Sequence, residues 1–597
     1  MTPRWSRAIP GEEDASLLGR ADPGYARAAE KPFQPIPRHR PCRLLAGPAE
    51  PHQHVVNPIL PTLQRRPTAL AARLSPRTRL AASLILLLLW LAAFALPVYT
   101  ANRPFLDPDG QYLKTLNCDD TLWTTTGCGL DGEACRPFVE SHFSFRCPAA
   151  CASRHDAAAP HPVGPLDVLD GPLVIGSNPF RADSHICGAA ILASVISDAA
   201  GGCGRLTRVG KRAFFVGKEE NGVESVSFDS YFPYAFTVSP EPGMLSSCAE
   251  LLDPRARVLG VSLVFSAVFS LFVAGAAEQF FVAFVAAFVH VAFVSDPPPV
   301  APFSVSVLPD LASSFARTFL PAMFLAAVLY RLCVKRTLEG LDAPFEKVVL
   351  WLGGLWVGAL ANYTLRWLPT REWDDYDLKA VSQPALLVAA LVGIIGFLAG
   401  FQAYCLWIEG RLERYIGFYL AVMASILGLL CVPGITLQLK PYIVALILLP
   451  ATSMQTRTSM LTQGLLLGIL IHALAHSGFT SPFTPQNPSI PSPSLYPSIK
   501  EPSIFFTHTG SNLTLSFHPP PTTLSYDGIS VTVNDVERFR LIYVEVGRTG
   551  ETFTLDWPND VKYDEYLRYG FIKDGRVLGY GAADTWLGNG TFVRAGE

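Results

Sequence analysis

The sequence predicts a membrane α-helical bundle of eight or nine spans. With it go a disulfide-rich α+β module outside the cytosol and a small C-terminal β-sandwich. Three observations point there. Apolar residues make up 50% of the 597 positions and charged ones 16%, a balance too apolar for a soluble chain of this length. The apolar residues fall in runs long enough to cross a hydrocarbon core of roughly 30 Å. Eight of the twelve cysteines, Cys118 to Cys248, sit in one polar stretch between two such runs. Cysteines in that number persist as disulfides only in an oxidising compartment.

Residues 1–79 are rich in Pro, Ala and Arg without apolar periodicity, and so read as a disordered cytosolic tail. They hold 13 Lys/Arg against 6 Asp/Glu. The 22 residues 80–101 carry no charge and form the first span, a signal anchor. Residues 102–255 reverse the balance, with 12 basic and 19 acidic residues. By the positive-inside rule the N-terminus is cytosolic and the cysteine-rich stretch is translocated.

A multi-span region covers 256–478. Its apolar runs are 258–277, 279–295, 311–330, 348–365, 380–408, 415–439, 441–451 and 460–476. The run 441–451 is short enough for a re-entrant hairpin, which leaves eight spans with a cytosolic C-terminus or nine with an external one. Residues 479–518 are dense in Pro and Ser and read as a linker. Residues 519–597 alternate in β fashion at 529–533, 539–544 and 552–555, with turn signals at Asp527-Gly528 and Asp574-Gly575. The sequons at Asn512 and Asn589 tilt the choice toward an external, glycosylated C-terminus.

Within the cysteine-rich stretch, Cys187-Gly-Ala-Ala opens a run of small residues suited to a helix packed closely on a sheet. Ile191, Val195 and Ile196 form its expected buried face. With Cys147-Pro-Ala-Ala-Cys151, Val174-Ile-Gly176, Gly201-Gly202 expected to end the helix, Asn221-Gly222 and 235–238, this run resembles the LCCL domain over Cys118 to Val238. The multi-span setting is similar to fungal multipass proteins that carry that domain. Leu192 stands where the usual pattern has His, and Ser194 where it has Gly. The resemblance implies the pairs Cys135–Cys147 and Cys151–Cys187. The remaining four cysteines then suggest Cys118–Cys128 and Cys203–Cys248, among the 105 pairings that eight cysteines allow.

Arg205, Arg208, Lys211 and Arg212 form the densest basic cluster of an otherwise acidic module. They are candidate ligands for an anionic lipid headgroup, an acidic glycan or sulfate. In the apolar runs, His290, Gln402, His472 and His476 are the polar candidates, and Arg317 near a helix start can snorkel. No Walker A, GxSxG or HExxH pattern occurs, which argues against an enzyme. No metal site, cofactor or nucleic-acid partner is expected. The reading is a secretory-pathway membrane protein, in contact with membrane lipids, that displays a module for an extracytosolic lipid or glycan. A transporter or channel and a surface-organising structural protein are the alternatives.

Overall fold

The computed structural model describes residues 45, 47–48, 51–124, 127–152, 161–168, 172–241, 253–365, 385–432, 435–437, 440–485, 505–509, 512–517, 526–543, 551–556 and 563–595. In the cysteine-rich module five strands form one sheet. Their order is Lys114–Thr115, Val139–Cys147, Gly202–Arg212, Phe232–Ser239, Phe180–Arg181, with the first pair parallel and the rest antiparallel. Alternate residues of one strand, Phe232, Tyr234, Phe236 and Val238, are all buried, the period-two pattern of a strand with one face in a core.

The helix Ile186–Leu192 is buried at every position. Its glycine allows close approach, since a Cβ at Gly188 would lie 3.0 Å from Val174. The helix is shorter than expected. Ser194 takes φ +58 just past it, so Val195 and Ile196 follow the helix rather than belong to it, although Ile196 still reaches the core. Gly201-Gly202, expected to end the helix, instead leads into the strand Gly202–Arg212. Leu192, which stands where the usual pattern has His, is 1% exposed and packed in the apolar core.

The disulfides are Cys118–Cys151, Cys128–Cys135 and Cys147–Cys187. This corrects the expected Cys135–Cys147, Cys151–Cys187 and Cys118–Cys128. Cys135 ends the short 3₁₀ segment Leu130–Cys135, seven residues from Cys128, so those two close a local loop. Cys147 ends its strand and bonds Cys187, in the first turn of the central helix. Cys203 is disulfide-bonded too. Cys248, its expected partner, lies outside the described residues.

Six helices among the described residues are long and apolar enough to cross a membrane, fewer than the eight or nine expected. They are Pro76–Asn102, Arg255–Phe272, Ala276–Ser295, Leu308–Leu338, Leu412–Leu430 and Arg457–His476. A further apolar helix, Ala385–Ile408, runs for 24 residues, and Pro441–Thr452 is a shorter apolar one. The run 348–365 is interrupted. Its helix Gly353–Ala359 breaks at Leu360 (φ −101, ψ 31) before the single turn Ala361–Thr364. Pro441–Leu448 tightens into a 3₁₀ turn, Leu449–Thr452, at Pro450, whose ring removes a helical donor.

Two glycine pairs at four-residue spacing bring helices Gly353–Ala359 and Arg457–His476 into near backbone contact. A Cβ at Gly468 would lie 2.1 Å from the Leu355 carbonyl oxygen, and one at Gly358 would lie 2.2 Å from that of Leu465. Gln463 beside them accepts from Trp351 Nε1 at 3.1 Å and donates to Thr337 Oγ1 at 3.0 Å.

Part of the expected disordered tail is ordered. Pro61–Ala72 is helical, and the chain before and within it is held on the bundle, where Ile59 N donates to Glu346 and Phe345 N to Gln64. Charges gather at this end. Arg336 and Arg411 pair with the buried Glu409 at 3.0 and 3.2 Å.

The C-terminal region forms two antiparallel sheets around a shared core. One holds Phe505–Thr509, Asn512–Phe517 and Glu551–Asp556. The other is built on Gly528–Val533, Val536–Ile542 and Glu565–Lys573. Leu513, Leu515 and Phe517 meet Ile529, Val531 and Leu567 between them. The expected linker 479–518 therefore contains strands, because the alternation 513/515/517 supplies one wall of this core. Asp574-Gly575 is a turn as expected. Asp527-Gly528 instead enters a strand, and the other hairpin turns at Asn534-Asp535, both at positive φ.

Candidate functional site

The basic cluster is spread along the strand Gly202–Arg212, and its members do different things. Arg205 is tied to Glu241 at 2.7 Å and Asp109 at 2.6 Å. Lys211 lies over the Tyr231 ring at 4.3 Å, and both it and Arg212 are exposed at the strand end. Arg208, on this central strand of the sheet, is placed differently. It donates to the Pro137 carbonyl at 3.0 Å and lies 5.8 Å from the centre of the Tyr234 ring.

There Arg208 joins two cations that the sequence reading did not single out. Lys114, Arg136 and Arg208 line a pocket of about 280 Å³ walled by Leu122, Phe143, Tyr234 and Phe303, and no carboxylate is among the described residues that line it. Lys114 Nζ sits 4.5 Å from the Phe143 ring centre. Burial and the neighbouring Arg208 charge hold its amine below the ordinary lysine range. Burial pushes the Tyr234 hydroxyl up to about 12, opposed by Arg208. Neither Arg208 Nε nor Tyr234 Oη completes a hydrogen bond of good geometry. Three cations in an aromatic-walled hollow form an environment that an anion relieves, through charge-assisted hydrogen bonds. Lys114 and Arg136 are single basic residues far from Arg208 in the chain, so no local charge density marks them.

The module has two seams. Against the C-terminal region, Val536 enters the module's own core and Tyr566 packs on it. Arg181, fully buried, donates to Asp183 at 2.5 Å and Asp535 at 2.9 Å. Gly164 N donates to Asp535, and Arg568 donates to the Gly164 carbonyl. Asn534 reaches Ser230 Oγ at 2.9 Å. Burial raises the Asp535 carboxyl above its usual range against the pull of Arg181.

Against the helices, the module leaves a cavity of about 370 Å³. Arg146 lines it, 7% exposed, donating to the Ala101 carbonyl and to Thr115 Oγ1.

The polar residues of the apolar runs do not converge on one path. His290 is packed by Phe94 and Trp356, Gln402 is bonded to Ser459 and Thr462, and His472 and His476 lie beside Asp296. Arg317 lies on the helix Leu308–Leu329. Asn589 is exposed, while the side chain of Asn512 lies outside what is described.

Taken together, the module is a disulfide-bonded α+β domain with a cationic pocket, joined to helices of membrane-crossing length. Residues 116–233 match the LCCL domain family. The chain is also similar to an uncharacterized protein of Saccharomyces cerevisiae, 29% identical over 522 residues, which span 80% of this chain and 74% of the relative. Apolar helices and a disulfide-bonded LCCL domain are compatible with a membrane-embedded secretory protein.

Proposed function

We propose that this chain is a multipass membrane protein of the secretory pathway whose LCCL domain recognises an extracytosolic anion, of the acidic lipid or glycan class. The observation that carries the ligand class is the pocket of Lys114, Arg136 and Arg208 with aromatic walls and no carboxylate among its described lining residues. The membrane setting is supported by the six long apolar helices and the disulfides. In this reading the N-terminus is cytosolic. The C-terminal region shares the LCCL domain's side of the membrane, because the two share a buried seam, which favours an odd number of crossings. The exposed Asn589 is then a glycan acceptor.

The test uses purified full-length protein on acidic-lipid and glycan arrays. Lys114→Glu and Arg208→Glu abolish binding, whereas charge reversal at Lys211 and Arg212 leaves most of it. Binding that survives reversal at both Lys114 and Arg208 removes the proposed pocket. Glycosidase and protease mapping of the C-terminal region checks the topology.

A further inference from the structure

The cavity beneath the module is built from two unlike halves. Its upper wall comes from the LCCL domain and the chain just after it, including Asn117, Asp119, Arg146 and Asp253. Its lower wall comes from helix ends, with Phe293, Val294, Val307 and Leu311 supplying apolar surface. Helices that could cross a membrane stop or start here. Pro76–Asn102 and Ala276–Ser295 end at it, Arg255–Phe272 and Leu308–Leu338 begin at it, and His472 and His476 bring the end of the last helix. The hollow therefore sits at the level where a bilayer's apolar core would give way to its headgroups.

Its charge is not balanced as the other seam is. Arg255 is matched by Asp253 at 2.8 Å. Arg146 donates only to a carbonyl and a hydroxyl, and no carboxylate among the described residues lies within 4.0 Å of its guanidinium. Burial pushes Arg146 down to about 10, against the through-space pull of Asp253, whose carboxylate is engaged by Arg255. A buried cation of this kind needs an anion, and a guanidinium presents a fork that matches phosphate. Asp119, exposed in the lining, offers an opposite charge for an ammonium group.

We propose that this cavity is a phospholipid site, in which Arg146 holds the headgroup phosphate and Phe293, Val294, Val307 and Leu311 hold the first part of an acyl chain. A zwitterionic headgroup fits best, its amine toward Asp119. The volume suits a headgroup and glycerol rather than a whole lipid, so the chains run on along the helices. The site is separate from the pocket of Lys114, Arg136 and Arg208, and rests on the proposal that the helices cross a bilayer.

Full-length protein is purified from carbonate-washed membranes in mild detergent, and its bound lipid is read by native mass spectrometry. The wild type is expected to retain one phospholipid. Arg146→Gln lowers occupancy at least tenfold, and Leu311→Trp, which fills the apolar half, does so in a protein of unchanged elution volume. A millimolar excess of inorganic phosphate or glycerophosphoethanolamine leaves the lipid bound. A lipid-free wild type, full occupancy in Leu311→Trp, or displacement by inorganic phosphate alone would each overturn the site. If carbonate releases the protein from membranes, the membrane reading fails instead. A lipid-free protein that stays in the pellet sinks only the cavity.

Discussion

The LCCL domain meets its two neighbours through seams that each bury an arginine, and the two arginines are treated in opposite ways. Arg181, at the C-terminal seam, is gripped by Asp183 and Asp535 beneath the rings of Phe228 and Phe232. Arg146, at the helical seam, donates to neutral acceptors and feels Asp253 only through space, across a hollow. A matched buried charge locks two pieces of chain together, because removing either partner strands the other. An unmatched one leaves a place for something else. The difference separates a joint from a site.

The largest effect should come from breaking the joint. Asp535→Ala leaves Arg181 buried with one carboxylate, and is expected to cost about 3–5 kcal/mol. Thermal unfolding in detergent, with protease resistance of the C-terminal region, measures it. Val536→Ala removes a buried apolar contact from the same seam without touching charge, and should cost about 1–2 kcal/mol. A loss as large as that of Asp535→Ala would assign the joint to packing instead.

A pH dependence sharpens the comparison further. Glu565 sits at this seam, where Asn534 donates to it, and burial raises its carboxyl from 4.5 to about 7 despite that hydrogen bond. Between those values the folded state holds a proton that the unfolded chain has lost, so stability falls as pH rises from about 4.5 to 7 and levels above. The joint is therefore firmer in an acidic compartment by on the order of 2 kcal/mol. Glu565→Gln should flatten the profile, read as unfolding temperature at pH 5 and 7.5. The smallest effect is expected at the other arginine. Arg146→Gln gives up two hydrogen bonds but relieves a buried charge with no carboxylate in direct contact among the described residues, so lipid-free protein should change by about 1 kcal/mol or less. A loss matching that of Asp535→Ala would make Arg146 a structural residue.

What was legible in the sequence were features with a local signature. The central helix around Cys187-Gly-Ala-Ala, the membrane-length runs and the alternating strands at 529–533 and 539–544 all announce themselves by spacing. Disulfide pairing does not, because Cys147 finds Cys187 only once strand and helix are packed. Ser194 at positive φ likewise shortens a helix whose apolar spacing continues to Ile196. The glycines at 354, 358, 464 and 468 carried a readable four-residue spacing, and the Asn534-Asp535 turn lay between two β runs. Each was missed because its meaning depends on the partner it meets. Of the proposed ligand pocket, only Arg208 was within a local charge cluster. Lys114 and Arg136 are isolated in sequence and become neighbours of Arg208 through the fold.

The Arg181–Asp535 pair joins residues 354 positions apart, which has a consequence for the order in which the protein is made. A ribosome delivers the LCCL domain early, but the second carboxylate that holds its innermost arginine is made 354 positions later, together with the neighbouring valine that completes its core. Until then the domain carries an open flank, and a premature stop anywhere in the helical region leaves it so permanently. Folding of the domain thus depends on chain that is made only after the helices. Truncated products should be retained and degraded even when their disulfides are correct.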